Sequence, residues 1–237
     1  MFSLTSKRGL ARRGVLRTVH GSIDTPFFMP IATKGAVKTM AADEVGNLGA
    51  QIILSNTYHL LLRPGSEGMK RLGGLHKLMH WEGPILTDSG GYQVFSLSKI
   101  NKTTDEGVSF QSHIDGRRIT LTPEGSMAMQ AAIGSDVIMQ FDDVAAGNSP
   151  RERYEEVMER SLRWARRCKD SYDPRQQLFG IVQGGTHEDL RERSARGLME
   201  VGFDGYAIGG LSVGEPRDDA FRITKHVSSI LPVDCPR

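Results

Sequence analysis

The strongest constraint on this chain is a recurrence: short apolar runs that end in polar or glycine residues alternate with longer stretches of helical periodicity. Six such runs occupy 27–32, 51–56, 84–88, 136–142, 177–183 and 205–211. Each is apolar through its middle, which marks a strand covered on both faces. The clearest helix spans 150–169: Ser149 is placed to cap it, Pro150 fits its first turn, and Tyr154, Val157, Met158, Ser161, Leu162 and Ala165 share one face. A second runs from 187 to 201 and ends at Gly202, and a third covers roughly 217–230. The pattern is one of repeated β-α units. Two segments break it, because 15–24 and 108–120 read as β-hairpins, the second turning at Asp115-Gly116. With no Pro-, Gly- or Ser-rich linker and no low-complexity tract, both hairpins are taken as decorations on one domain.

Parallel strands can form an open doubly wound sheet or a closed barrel. The open sheet usually carries a glycine-rich nucleotide turn after its first strand, and neither GxGxxG nor GxxxxGK[ST] occurs here. Polar and glycine residues gather instead at the ends of several strands, at Asn56, Asp88, Asp142, Gln183 and Gly210. That distribution predicts an α/β fold of the (β/α)8 TIM-barrel type, whose site is assembled from strand ends at one face. About six of the eight strands are present, and the chain stops at Pro236-Arg237, where another strand is due. Residues 1–237 are therefore expected to form a single incomplete barrel domain lacking its last strands.

Composition excludes some classes. Thirty basic residues are nearly matched by twenty-eight acidic ones, a net charge of +2, so any nucleic-acid site must be local. No apolar run approaches the roughly 20 residues of a membrane span, and the first residues lack the apolar stretch of a signal peptide, which predicts a cytoplasmic protein. Cys168 and Cys235 are the only cysteines and neither has a Cys or His at metal-ligand spacing, so no metal site is expected in the chain. His20, His76, His80, His113, His187 and His226 show no spacing that suggests a metal site or a triad and are read as surface or packing residues.

The chemistry-bearing residues lie at the strand ends. Asp88 follows the apolar Ile85-Leu86 pair, and Ser89-Gly90-Gly91 then offers backbone with little bulk, where a flat ring can approach. Tyr92 supplies a face for stacking, worth about 1 to 3 kcal/mol per base. The plainer reading of a lone DSGG is a capping Asp with a turn-forming glycine pair. Asp142 and Asp143 close the next run, and a strand-end carboxylate suits paired N–H donors such as a guanine edge. Asp142 is the better ligand, with Asp143 an orienter or solvated, since adjacent extended residues point to opposite sides. Gln183 offers a donor and an acceptor, or else bonds neighbouring backbone. Gly209, Gly210 and Leu211, in GGLSVGE, can present amides and carbonyls to a ligand. Taken alone that segment also fits a phosphate turn, but Asp88 and Asp142 would repel phosphate and favour a neutral heterocycle. His59, in SNTYH, is read as a loop-bridging residue rather than a general acid or base.

Five separated motifs, SNTYHLLLRPG at 55–65, TDSGGYQVFSL at 87–97, FDD at 141–143, GIVQGG at 180–185 and GYAIGGLSVGE at 205–215, together resemble the tRNA-guanine transglycosylase family, in order along nearly the whole chain. The resemblance implies a zinc-containing (β/α)8 barrel that replaces guanine at the wobble position of tRNA with a GUN anticodon by a 7-deazaguanine base, queuine or its 7-aminomethyl precursor, in queuosine biosynthesis. It implies that Asp88 is proton acceptor and base contact beside Ser89, Gly90 and Gly91, and that Tyr92 stacks on the base. Asp142 would bind the N1 and 2-amino edge, Gln183 the 6-oxo or ring-nitrogen side, and Gly209, Gly210 and Leu211 the 7-substituent. Asn56, Gln93 and His59 would support this region. The family's nucleophilic Asp, its RNA-reading segment and its Cys-x-Cys-x-x-Cys…His zinc ligands are expected beyond Arg237, so the chain by itself is expected to be inactive. Homodimers or paired subunits occur in the family.

Two positions depart from the common bacterial pattern: Val144 stands where Cys is usual and Ser212 where Ala is usual, a combination closer to the queuine-using eukaryotic catalytic subunit. The competing readings are a non-catalytic tRNA-binding partner subunit of the same family and a nucleobase-binding barrel unrelated to tRNA. Retention of Asp88, Tyr92, Asp142 and Gln183 favours the enzyme.

Overall fold

Burial on alternate sides dictates how the central strands pack. In this computed structural model, which describes residues 1–97 and 101–237, Val137 and Met139 turn one way into a cluster with Phe179 and Ile181, while Ile138 turns the other way to join Leu178 and Val182. Both faces are apolar, so the strands are covered on both sides.

The chain opens with three antiparallel strands, β1 (Phe2–Arg8), β2 (Ala11–Thr18) and β3 (Gly21–Thr25). There follow α1 (Ala42–Asn47), β4 (Ile53–Ser55), α2 (Thr57–Leu62), α3 (Ser66–Leu72), α4 (Leu75–Met79), β5 (Ile85–Thr87) and α5 (Gly91–Leu97). A second antiparallel trio comprises β6 (Asn101–Thr103), β7 (Val108–Gln111) and β8 (Arg118–Leu121). The remainder alternates regularly: α6 (Pro123–Ile133), β9 (Val137–Met139), α7 (Arg151–Ser171), β10 (Gln177–Val182), α8 (Glu188–Val201), β11 (Gly205–Ile208) and α9 (Arg217–Ile230). The parallel strands pair in the order β11-β10-β9-β5-β4.

The sheet is parallel, as expected, and is not closed. Five of the six expected strands form a ladder. The run at 27–32 makes only a single parallel bridge, Ile31 to Leu54, and Phe28 and Ile31 lie exposed. Apolar character there does not signal burial between two layers. Both expected hairpins are larger than read, being parts of three-stranded sheets, and the second turns over 112–117 with Gly116 at φ 73°.

Helices α7, α8 and α9 cover the outer face, where Trp164, Cys168, Leu198, Ile223 and Val227 are fully buried. The α7 boundaries agree with the sequence within two residues, but Ser149 does not cap it: Pro150 occupies the cap and no side chain closes the turn. Thr122 does cap α6, accepting from the Gly125 amide at 3.1 Å with Pro123 in the first turn. The inner face packs on the N-terminal sheet through Leu16 and Ile23. No helix is long and apolar enough to cross a membrane among the described residues.

Candidate functional site

The strand ends converge. Asp88 follows β5, Asp142 lies just beyond β9, Gln183 follows β10, and Gly209-Gly210 follow β11. A cavity of about 800 Å³ runs along the inner face of the sheet, over Leu86, Val137, Met139, Phe179 and Ile181. Asp88, Ser89, Tyr92, Asp142, Val144, Gly209, Gly210 and Leu211 all line it, so separate motifs form one site.

Asp142 is buried and held from two sides. The Ser89 hydroxyl donates to Oδ1 and the Gln183 amide to Oδ2, each at 2.7 Å. Burial pushes its carboxyl up to about 6 against those two bonds, and the nearby charges of Asp143 and Asp88 push the same way. A carboxylate with such a history is mainly ionised at neutral pH and accepts hydrogen bonds only in that state.

Asp88 is part-exposed toward the cavity, and enclosure by protein raises its pKa despite the donors around it. Asn56 Nδ2 donates to Oδ2 at 2.5 Å and the Thr57 amide to Oδ1 at 2.8 Å; Gln93 and the Gly90 amide also favour the charged form. The Thr57 hydroxyl donates to the Asp88 carbonyl at 2.6 Å. The SNT segment after β4 thus fixes the DSGG segment after β5. Gly91 permits the next contact: a Cβ there would stand 2.4 Å from the Asp142 carbonyl oxygen, so only glycine lets the two strand ends meet. Tyr92, at 46% exposed, lines the same cavity.

Gln183 is 2% exposed and stands behind Asp142 rather than on the cavity wall, so its amide nitrogen is spent on that carboxylate. Asp143 is not solvated. It is buried, and Arg160 Nη1 reaches its Oδ2 at 2.6 Å, with Arg153 at 3.1 Å. Its side chain therefore points away from Asp142's partners, as extended neighbours must. His59 packs edge-on against Tyr58 and His113, and burial lowers its pKa, with Lys34 and His113 adding to the effect.

His20 and His76, read from the sequence as surface or packing residues, meet at a buried carboxylate. His20 and His76 stack at 3.7 Å and share the buried Asp136, 2.9 Å and 3.5 Å away. This is the one three-residue group with metal-ligand side chains in mutual reach among the described residues. Its partners come from the β2-β3 turn, α4 and the start of β9, at the end of the sheet away from Asp88, so sequence spacing could not reveal it. Asp136 also accepts from the Ile85 and His20 amides, and its pKa is strongly lowered, the histidine and amide hydrogen bonds outweighing burial. His76 Nε2 lies 3.1 Å from the Gly83 carbonyl, which requires the proton on that nitrogen and leaves it no lone pair for a metal. Cys168 offers no better ligand: burial raises its thiol to about 12, and its sulfur accepts from the Phe141 amide. Among the described residues, this group and Cys168 do not fit a zinc centre.

One residue that sequence reasoning passed over lies behind the site. Arg191, from the first turn of α8, is fully buried and donates to the carbonyls of Val182, Gly185, Gly209 and Gly210. Its place in a charged, amphipathic helix gave no signal.

Two carboxylates, an exposed aromatic ring and two glycines thus meet in one cavity at the ends of parallel strands. A family model described as queuine tRNA-ribosyltransferase matches residues 6–237, and the chain belongs to that family. It is 54% identical over 228 residues to the queuine tRNA-ribosyltransferase of Pelotomaculum thermopropionicum, covering 96% of this chain and 62% of that protein. It is 52% identical over 235 residues to the same-named protein of Staphylococcus aureus strain bovine RF122, covering 98% and 62%. The chain spans about 62% of the length of the curated relatives it matches.

Proposed function

We propose that this chain is the base-holding part of a tRNA-guanine transglycosylase that exchanges guanine at the wobble position of tRNA with a GUN anticodon for a 7-deazaguanine base. The carrying observation is the pair of strand-end carboxylates in one cavity, Asp142 braced by Ser89 and Gln183 and Asp88 braced by Asn56 and Thr57. Its open parallel sheet is read as the larger part of a (β/α)8 barrel, in a cytoplasmic enzyme.

Asp142 accepts from the N1–H and 2-amino group of the base, and Tyr92 stacks on its face. Ser89, Gly90 and Gly91 allow the ring to approach, while Gly209, Gly210 and Leu211 meet the edge of the base that carries the 6-oxo group and the 7-substituent. In the exchange a carboxylate attacks the anomeric carbon. The glycosidic bond breaks and guanine leaves with its electron pair, taking up a proton. The incoming base then loses its N9 proton, attacks the same carbon and displaces the carboxylate. Asp88 serves as proton acceptor, a role that its raised pKa supports. The attacking carboxylate is read as a separate group outside the described residues. The intact Asp88 and Asp142 argue for the enzyme over a non-catalytic partner subunit.

The test is labelled-guanine exchange into tRNA by the complete enzyme and by its Asp88→Asn and Asp142→Asn variants. Loss of exchange by a factor of a hundred or more in both is expected; activity retained in either variant refutes the assigned roles.

A further inference from the structure

Arg191 is the most enclosed charged side chain near the site, and its surroundings are unusual. Its Nε donates to the Gly185 carbonyl at 2.8 Å, its Nη1 to Val182 at 2.7 Å and Gly209 at 2.6 Å, and its Nη2 to Gly210 at 3.2 Å. All four acceptors are backbone oxygens: Val182 at the last position of β10, Gly185 just beyond it, and Gly209 and Gly210 after β11. A buried guanidinium that meets carbonyl dipoles in place of a carboxylate fixes backbone rather than balancing a charge.

The consequence follows from peptide geometry. In a trans peptide the carbonyl oxygen and the next amide hydrogen point in opposite directions. With the Gly209 and Gly210 carbonyls turned to Arg191, the amides of Gly210 and Leu211 face away from it. Neither amide has a protein acceptor among the described residues, and both residues line the cavity. Gly210 holds φ at 58°, and a Cβ there would stand 2.3 Å from Gln183 Oε1, so the loop also rests against the residue that braces Asp142.

We propose that Arg191 is a positioning residue: by pulling the Gly209 and Gly210 carbonyls behind the loop, it aims the Gly210 and Leu211 amides into the cavity as paired donors for an oxygen acceptor on the bound base. This rests on the base-binding reading above. Arg191 touches no substrate and acts through the backbone it holds. Lysine cannot replace it, since an ammonium has three donors on a flexible stem and cannot span four carbonyls.

Two measurements on the wild-type chain and Arg191→Lys test this. The first is amide NMR without ligand. Arg191→Lys is expected to shift and mobilise the Gly210 and Leu211 amides while those of Thr57 and Gly90 stay in place. Unchanged Gly210 and Leu211 resonances overturn the proposal. The second compares binding of guanine with 6-thioguanine, which keeps the N1–H and 2-amino donors but presents sulfur as a poorer acceptor. The wild type is expected to prefer guanine, and Arg191→Lys to lose that preference by about tenfold while 6-thioguanine affinity changes less than about threefold. An equal fall for both ligands signals a general packing defect and overturns the positioning role. If the wild type binds neither base, the functional reading fails and the assigned ligand with it, while the NMR result still decides whether Arg191 sets the loop. Arg191→Met, which removes every donor, is expected to move the same two amides further.

Discussion

Replacing Asp142 by Asn separates stability from function, because the carboxylate is held in a place that disfavours its charge. Its pKa is about 6, against 3.8 for the unperturbed group. At 1.36 kcal/mol per unit, the ionised side chain costs the folded state about 3 kcal/mol at neutral pH relative to an uncharged one. The folded pKa is raised, so the native state binds the extra proton and stability falls as pH rises through the window from about 4 to 6. Asn removes that cost. It also keeps the shape, and the Ser89 hydroxyl and Gln183 amide that now donate to Asp142 can turn to accept from its NH2 group. The variant is therefore expected to be more stable than wild type by roughly 1 to 3 kcal/mol at pH 7.5. The difference should shrink by about half near pH 5 and nearly vanish near pH 4. Urea unfolding of both proteins at the three pH values measures it, and the wild-type-minus-variant difference cancels the titrating groups that are not coupled to Asp142. A variant less stable at pH 7.5, or a gap that ignores pH, refutes the claim that Asp142 is strained by burial and kept for binding.

Other perturbations reach neighbouring parts of the site. Arg160→Ala leaves Asp143 buried with a weaker partner and is expected to cost about 3 to 5 kcal/mol in urea unfolding, most of it recovered in the double variant with Asp143→Asn. Gly91→Ala drives a Cβ into the Asp142 carbonyl and is expected to weaken guanine binding at least tenfold in calorimetric titration, with the wild-type-like affinity of a tolerated variant as the contrary result. Val144 is buried in the cavity wall and is expected to help admit queuine. Competitive exchange assays of the complete enzyme should show queuine incorporated alongside the 7-aminomethyl precursor, with the queuine share falling by about tenfold or less in Val144→Cys.

Much of this architecture was legible where local pattern and burial agree. Parallel strands buried on both faces print continuous apolar runs, and 84–88, 136–142, 177–183 and 205–211 each contain a ladder strand. The last residues of those runs lie just past the paired strands and carry the polar or glycine positions, which is why Asp88, Asp142, Gln183 and Gly210 share one neighbourhood. The run at 27–32 failed because Phe28 and Ile31 are apolar but exposed, and periodicity alone does not report what covers a residue. The stacked His20 and His76 and the Arg191 clamp were invisible for another reason. Both join elements far apart in sequence through tertiary docking, and Arg191 meets only backbone oxygens, which no residue-type pattern encodes. Asp143 misled in part, since its partners Arg153 and Arg160 lie on the polar-looking side of α7.

On the proposed function, ionised Asp142 grips the donor edge of a guanine-like base in the strand-end cavity. Calorimetric titration of guanine into the chain at pH 7.5 and pH 5, with hypoxanthine in parallel, decides whether it does. Guanine is expected to bind at pH 7.5 and to lose about tenfold in affinity at pH 5, where a carboxyl with a pKa of about 6 is mostly protonated, and hypoxanthine, which lacks the 2-amino donor, is expected to bind more weakly at pH 7.5. Equal affinity at the two pH values, or hypoxanthine binding as tightly as guanine, contradicts it.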